Sequence, residues 1–154
     1  MIFLALYIWL HMKSIDLKEK AKKINKHWSP GIIAELNGQH VKLAKIHGEF
    51  VWHAHENEDE LFYVLEGRFD MHYRDRIEPV EEGQLIVVPR GIEHKPVAEE
   101  EATILLFEPA STENTGDNPG ELTKKELDWL WLYPTFCNVV SLAFPSLIYH
   151  NMRE

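Results

Sequence analysis

A chain of 154 residues, 45% hydrophobic and 27% charged, is the size of one domain with a single buried core. Its formal charge of -9, with acids grouped at residues 56–60, 78–82 and 99–101, repels phosphate backbones and argues against nucleic acid as a partner. Cys137 is the single cysteine, so no disulfide forms within the chain and a reducing cytoplasm fits best.

Of the 41 charged residues, 39 lie between Lys13 and Asp128. Residues 1–12 form an apolar extension without the basic leader and small-residue cleavage site of a secretory signal, and they are short of the roughly 20 residues that span a bilayer. Met12 is an alternative start. Residues 13–24 place Ile15, Leu17, Ala21 and Ile24 at near-helical intervals behind a possible cap at Ser14, which predicts a short amphipathic helix.

Pro30-Gly31 ends that helix. Residues 32–36 and 41–46 flank Asn37-Gly38, a strong signal for a two-strand hairpin. Further strands are predicted over 50–55, 60–65, 68–73, 84–88 and 103–107, punctuated by Gly67, Gly83, Pro89, Gly91 and Pro96. Short strands at this spacing mean a sandwich or a barrel. Residues 111–120 have loop composition, and Thr123-Lys124-Lys125-Glu126 reads as a capping box that opens a second short helix. From Trp129 to Tyr149 the chain is uncharged and rich in aromatics, but Pro134, Asn138 and Pro145 argue against a membrane span. This tail is expected to pack on the barrel or on a second subunit, unless the natural domain ends near Leu130.

The chemistry lies in the middle. One stretch reads Gly48-x4-His53-x-His55-x4-Glu60-x6-Gly67, and a second reads Gly83-x5-Pro89-x-Gly91-x2-His94. Residues two apart on a strand share a face, so His53 and His55 aim together while Trp52 and Ala54 point away. Glu60 follows at an odd offset, and the polar residues 56–59 supply the bend that returns it to the same side. Pro89-Arg90-Gly91 makes the corner that brings His94 back. Three imidazoles and one carboxylate are a plausible shell for a divalent transition ion, and iron, manganese, zinc, nickel and copper all accept such donors.

These two segments resemble the paired motifs of the cupin superfamily, in which two histidines and a glutamate from the first motif and a histidine from the second hold a metal inside a β-barrel. The resemblance spans residues 45–109 closely and assigns His53, His55, Glu60 and His94 as metal ligands. It implies an all-β fold, a double-stranded β-helix or jelly-roll barrel, here with the short N- and C-terminal helices read above. Two departures stand out: four residues rather than five separate Gly48 from His53, and Ala98 replaces a frequent asparagine.

The domain layout is then an extension at 1–12, a cupin barrel with flanking helices at 13–128 and a tail at 129–154. Similar single-domain cupins are described as mannose-6-phosphate isomerase-like. The resemblance therefore implies a small metal-dependent isomerase or dioxygenase acting on a sugar, a sugar phosphate or an organic acid, with a non-catalytic binding or sensing module as the alternative. A homodimer binding a small-molecule ligand is expected.

The remaining candidates are read more plainly. His27, His40, His47 and His150 are expected to be structural or exposed, and alternation turns His72 away from the apolar side of its strand. The acidic residues 56–59 read as a solvated loop, Arg90 and Lys95 as surface charges, and Trp28 and Trp52 as packing residues. With Glu60 bound to metal, any general base must come from elsewhere, and the sequence nominates none.

Overall fold

Asn37 and Gly38 both adopt positive φ, 53° and 76°, so that two residues turn the chain and set Leu36 opposite Gln39. A computed structural model describes residues 13–130, and the expectations for 1–12 and for the tail beyond Leu130 lie outside them. The hairpin joins β1 (Gly31–Leu36) to β2 (Gln39–Glu49). There follow β3 (Glu60–Glu66), β4 (Arg68–Tyr73), β5 (Ile77–Glu81), β6 (Leu85–Val88) and β7 (His94–Pro109).

The longest strand, β7, is the spine. One edge pairs with β2 from Val97 to Pro109, while the other pairs first with β4 (residues 94–97) and then with β3 (residues 103–107). The sheet order is β1-β2-β7-β3-β6, with β5 attached through β4, and every pairing is antiparallel. At the corner between its two partners, β7 meets the β3–β4 turn. A Cβ on Gly67, at φ 84°, would lie 3.0 Å from the carbonyl oxygen of Glu101, so the turn needs glycine both for conformation and for space.

Alternation along the strands separates two apolar layers. Ala44, Ile46, Phe62, Val64, Phe69, Met71, Ile104 and Leu106 fill the interior. Leu43, Leu105 and Leu65 face outward, where Ile24, Leu17 and Leu130 cover them. The helix carrying Leu17, α1 (Leu17–Ala21), is shorter than predicted and is capped by Asp16, whose carboxylate accepts from the Glu19 N–H at 3.0 Å, rather than by Ser14.

Two expectations need correction. Residues 50–55 form no regular strand, making a single bridge, His53 with His94. No helix opens at Thr123 within the described residues: its hydroxyl accepts from the Gly120 N–H and bonds the Thr115 hydroxyl at 2.7 Å, and the chain then bridges Ile32 through Trp129. Tertiary partners took the hydroxyl that a helix cap would have used. Strand β5 was not expected, because Ile77-Glu-Pro-Val-Glu alternates weakly and carries a proline. No helix among the described residues is long and apolar enough to cross a membrane.

Candidate metal centre

Residues 50–55 are held by neighbours on both sides instead of by a sheet ladder. Toward β7, His53 and His94 exchange backbone hydrogen bonds of 3.1 and 2.9 Å, and Phe50 donates to Pro96. On the opposite side the loop after β7 clamps the intervening residue: Asp117 accepts from the Ala54 N–H at 2.8 Å and donates its own N–H to the Ala54 carbonyl at 3.0 Å. Asn118 donates to the Trp52 carbonyl. Gly91 ties the corner before His94 to the His55 carbonyl at 2.7 Å. The segment is fixed, and both imidazoles still point inward.

There they meet Glu60, the first residue of β3, and His94, the first of β7. Nitrogen and oxygen atoms from His53, His55, Glu60 and His94 all lie within 4.8 Å of one another, and the four residues are between 0% and 4% exposed. Donors about 2.0–2.2 Å from a shared ion would stand ~3–4.4 Å apart, so the cluster has the dimensions of a coordination shell. His55 Nε2 is 3.2 Å and His94 Nε2 is 3.6 Å from Glu60 Oε2.

The protonation pattern suits a cation. His53 Nδ1 and His94 Nδ1 lie 3.0 and 2.9 Å from the carbonyls of Val51 and Ile92, bonds that need the proton on Nδ1 and leave Nε2 with its lone pair. Burial, and then the neighbouring His94 ring, lower His53 to about 4. Burial alone would raise Glu60, but the close approach and attraction of His55 and His94 prevail and hold it at about 2. Burial would lower His55, yet Glu60 outweighs it and raises that ring above its ordinary value. Meanwhile His55 Nε2, Glu60 Oε2 and His94 Nε2 are buried without a well-formed hydrogen bond. Three buried polar atoms that converge on one point with only one another as neighbours fit a metal ion better than they fit a closed protein core.

A cleft reaches this point from outside. His53 and Glu60 lie at its polar end, and Trp28, Phe50, Phe62, Ile104 and Leu106 are among its walls. Of the other sequence candidates, Trp28 joins the cleft wall and those that follow lie elsewhere. Arg90 pairs with Asp59 and Lys95 with Glu49, Arg74 lies over the Trp52 ring at 3.9 Å, and His27 bonds Glu101. His72 is turned away from the interior, between the buried Met71 and Tyr73. Ala98 is wholly buried in the core.

One interior pair went unnoticed in the sequence. Lys42 donates to Glu108 at 2.7 Å, both side chains being 1% exposed. Burial, followed by the negative charge of Glu60, pushes Glu108 up to about 8 against the pull of Lys42.

A jelly-roll barrel with an inward-facing three-histidine, one-glutamate cluster defines a cupin with a possible metal site. A profile of the cupin domain family matches residues 39–108. A cupin-2 domain containing protein from Shewanella frigidimarina is 44% identical, with a TM-score of 0.63 over 65% of this chain and 98% of that one. Protein NMB1881 from Neisseria meningitidis is 29% identical, with a TM-score of 0.59 over 64% of this chain and 100% of the other. The Bacillus subtilis protein YdbB is 38% identical over 84 residues, 54% of this chain and 74% of its own. The chain belongs to the cupin family.

Proposed function

We propose that His53, His55, Glu60 and His94 hold one divalent transition ion, iron, manganese, zinc or nickel, and that the protein is a small metal-dependent enzyme acting on an oxygen-bearing carbon compound. The observation that carries this is the buried convergence of His55 Nε2, Glu60 Oε2 and His94 Nε2 with no other partner. Four protein donors in a six-position shell leave about two positions open, and an ion held there supplies Lewis acidity toward a bound oxygen. The chain's own residues do the rest. Glu60 stays ionised and offsets one of the two positive charges, the backbone carbonyls of Val51 and Ile92 orient His53 and His94, and the apolar walls exclude water.

Isomerisation and oxygenation are the reaction types this arrangement serves, and sugars, sugar phosphates and organic acids are the compounds that family likeness suggests. One observation favours the second reading, a non-catalytic binding module: apart from the proposed ligands His53 and Glu60, no wall residue among the described residues offers a free proton-transfer group, since Trp28 donates to the His47 carbonyl and both ends of the Asn114 amide are bonded to backbone. Turnover of a chelating acid decides between them, for stabilisation by such acids without any turnover would remove the enzyme reading.

The metal reading has a direct test. Protein purified without chelators should carry about one equivalent of metal by elemental analysis, and His53→Ala,His55→Ala should lose it. Equal metal in the two would remove the site. A cytoplasmic location and a homodimer complete the proposal.

A further inference from the structure

The polar groups around the cleft are already committed. Asn114 donates to the Leu122 carbonyl and accepts from the Lys124 N–H, and Trp28 Nε1 donates to the His47 carbonyl at 2.9 Å. Apart from these two side chains and the His53 and Glu60 end, the lining is apolar, with Ile46, Phe50, Phe62, Ile104 and Leu106 among it. Among the described residues, no lysine or arginine lines it. The cations that proximity might have offered are engaged elsewhere, Lys42 with Glu108, Arg90 with Asp59 and Lys95 with Glu49.

A ligand in such a cleft finds polar partners at one end only. A polyhydroxylated sugar would strand hydroxyls against the isoleucine and phenylalanine walls, where each buried, unbonded group is unfavourable. A phosphate would find no guanidinium or ammonium to receive it. The metal end has room for one negative charge: a divalent ion beside the Glu60 carboxylate leaves a net charge of about plus one. The cleft is narrow, with about 30 Å³ of space that a water molecule can occupy, so only a compact molecule suits it.

We propose that the cleft selects a small monocarboxylic acid with an apolar body, its oxygens at the His53 and Glu60 end and its hydrocarbon part against Ile104, Leu106 and Phe62. This choice rests on the metal reading above and separates organic acids from the sugars and sugar phosphates. The test compares three probes by calorimetry on the metal-loaded and metal-stripped full chain. 4-Methyl-2-oxopentanoate has the same chelating head as pyruvate plus a branched hydrocarbon tail, and glucose 6-phosphate carries hydroxyls and a dianion.

The branched acid should bind the loaded protein at least tenfold tighter than pyruvate, with glucose 6-phosphate no tighter than pyruvate. Ile104→Thr, which replaces an ethyl group on the wall by a hydroxyl, should cut the branched-chain preference at least threefold while the protein still loads metal. Equal affinity for the two keto acids, or tighter binding of glucose 6-phosphate, overturns the proposal. So does a failure of both protein forms to bind either keto acid. A chain that takes up no metal yet still prefers the branched acid would sink the metal reading and leave this one standing.

Discussion

Lys42 and Glu108 set a buried ammonium and a carboxyl group on the face where the same strands place Ala44, Ile46, Ile104 and Leu106. Such a pair adds little to stability by itself, because burying the ammonium, and above about pH 8 the carboxylate as well, costs about what their interaction returns. Removing one partner is worse. Lys42→Met should destabilise the fold by about 3–5 kcal/mol in denaturant titration, whereas Lys42→Met,Glu108→Leu should recover most of that loss.

The pH dependence follows from the same residues. Because Glu108 rises from an ordinary 4.5 to about 8, the folded state holds its proton more tightly, and stability falls as pH climbs through that interval. His53, lowered from 6.5 to about 4, acts in the opposite direction, but only below 6.5. His55, raised above 6.5, favours the folded state below that value and loses its contribution as pH rises through its folded value. From pH 6.5 to about 8, then, Glu108 and His55 act together, and the metal-free protein should lose stability, the Glu108 share being about 2 kcal/mol at most. Thermal melts across that range check it. Glu108→Gln should leave only the histidine share, and saturating zinc should abolish the fall, since an ion displaces the His55 proton and favours an ionised Glu108.

At this scale the sequence was legible where spacing was rigid. His53, His55, Glu60 and His94 stand among glycines and prolines that restrict where each can point. Lys42 was hidden because Lys42-Leu-Ala-Lys45 offers two lysines, and nothing local says that alternation sends Lys42 inward and leaves Lys45 for Glu101.

Among the elements, the loop after β7 is the one on which the site most depends. Gly116 has φ 48°, and a Cβ there would fall 2.1 Å from the Ala54 carbonyl oxygen and 3.2 Å from His55 Nδ1. The obstacle is backbone, which has little freedom to move. Gly116→Ala should cost about 1–3 kcal/mol through strain and, by displacing His55, lower metal affinity by roughly 10–100-fold. Gly120→Ala, which meets nothing within 4 Å, is the control and should change neither melting temperature nor metal uptake. Elements that carry their own local signal were readable, such as the Asn37-Gly38 hairpin and the inward start of β3 at Glu60. Residues 50–55 looked like a strand because alternating side chains do share a face, yet their backbone is held by His94 and Pro96 on one side and by Asp117 and Asn118, more than sixty residues away, on the other. No local pattern encodes a clamp of that kind, and none revealed that Thr123 would bond Thr115 instead of capping a helix.

For the whole molecule, the outer face of the sheet decides how copies meet. Register aligns Val87, Leu61, Phe107 and Val41 in one row across four strands, and Leu85, Tyr63, Leu105 and Leu43 in the next. Helix α1 and Leu130 cover the β2 end of these rows, while at the other end Leu85 is 58% and Val87 49% exposed. Among the described residues, β6 pairs only with β3, so its second backbone edge is free as well. An apolar face that ends in an unpaired strand is a template for association, and a two-fold axis perpendicular to the sheet beside β6 would join two such edges antiparallel and continue both apolar rows into the partner. The proposed homodimer is therefore expected here rather than at the metal end. In sedimentation of the full chain, Leu85→Lys,Val87→Lys should shift the species from dimer to monomer while metal content stays the same, because neither side chain reaches the interior. A double variant that remains dimeric would move the interface off this edge, and a wild-type chain that sediments as a monomer would remove it altogether.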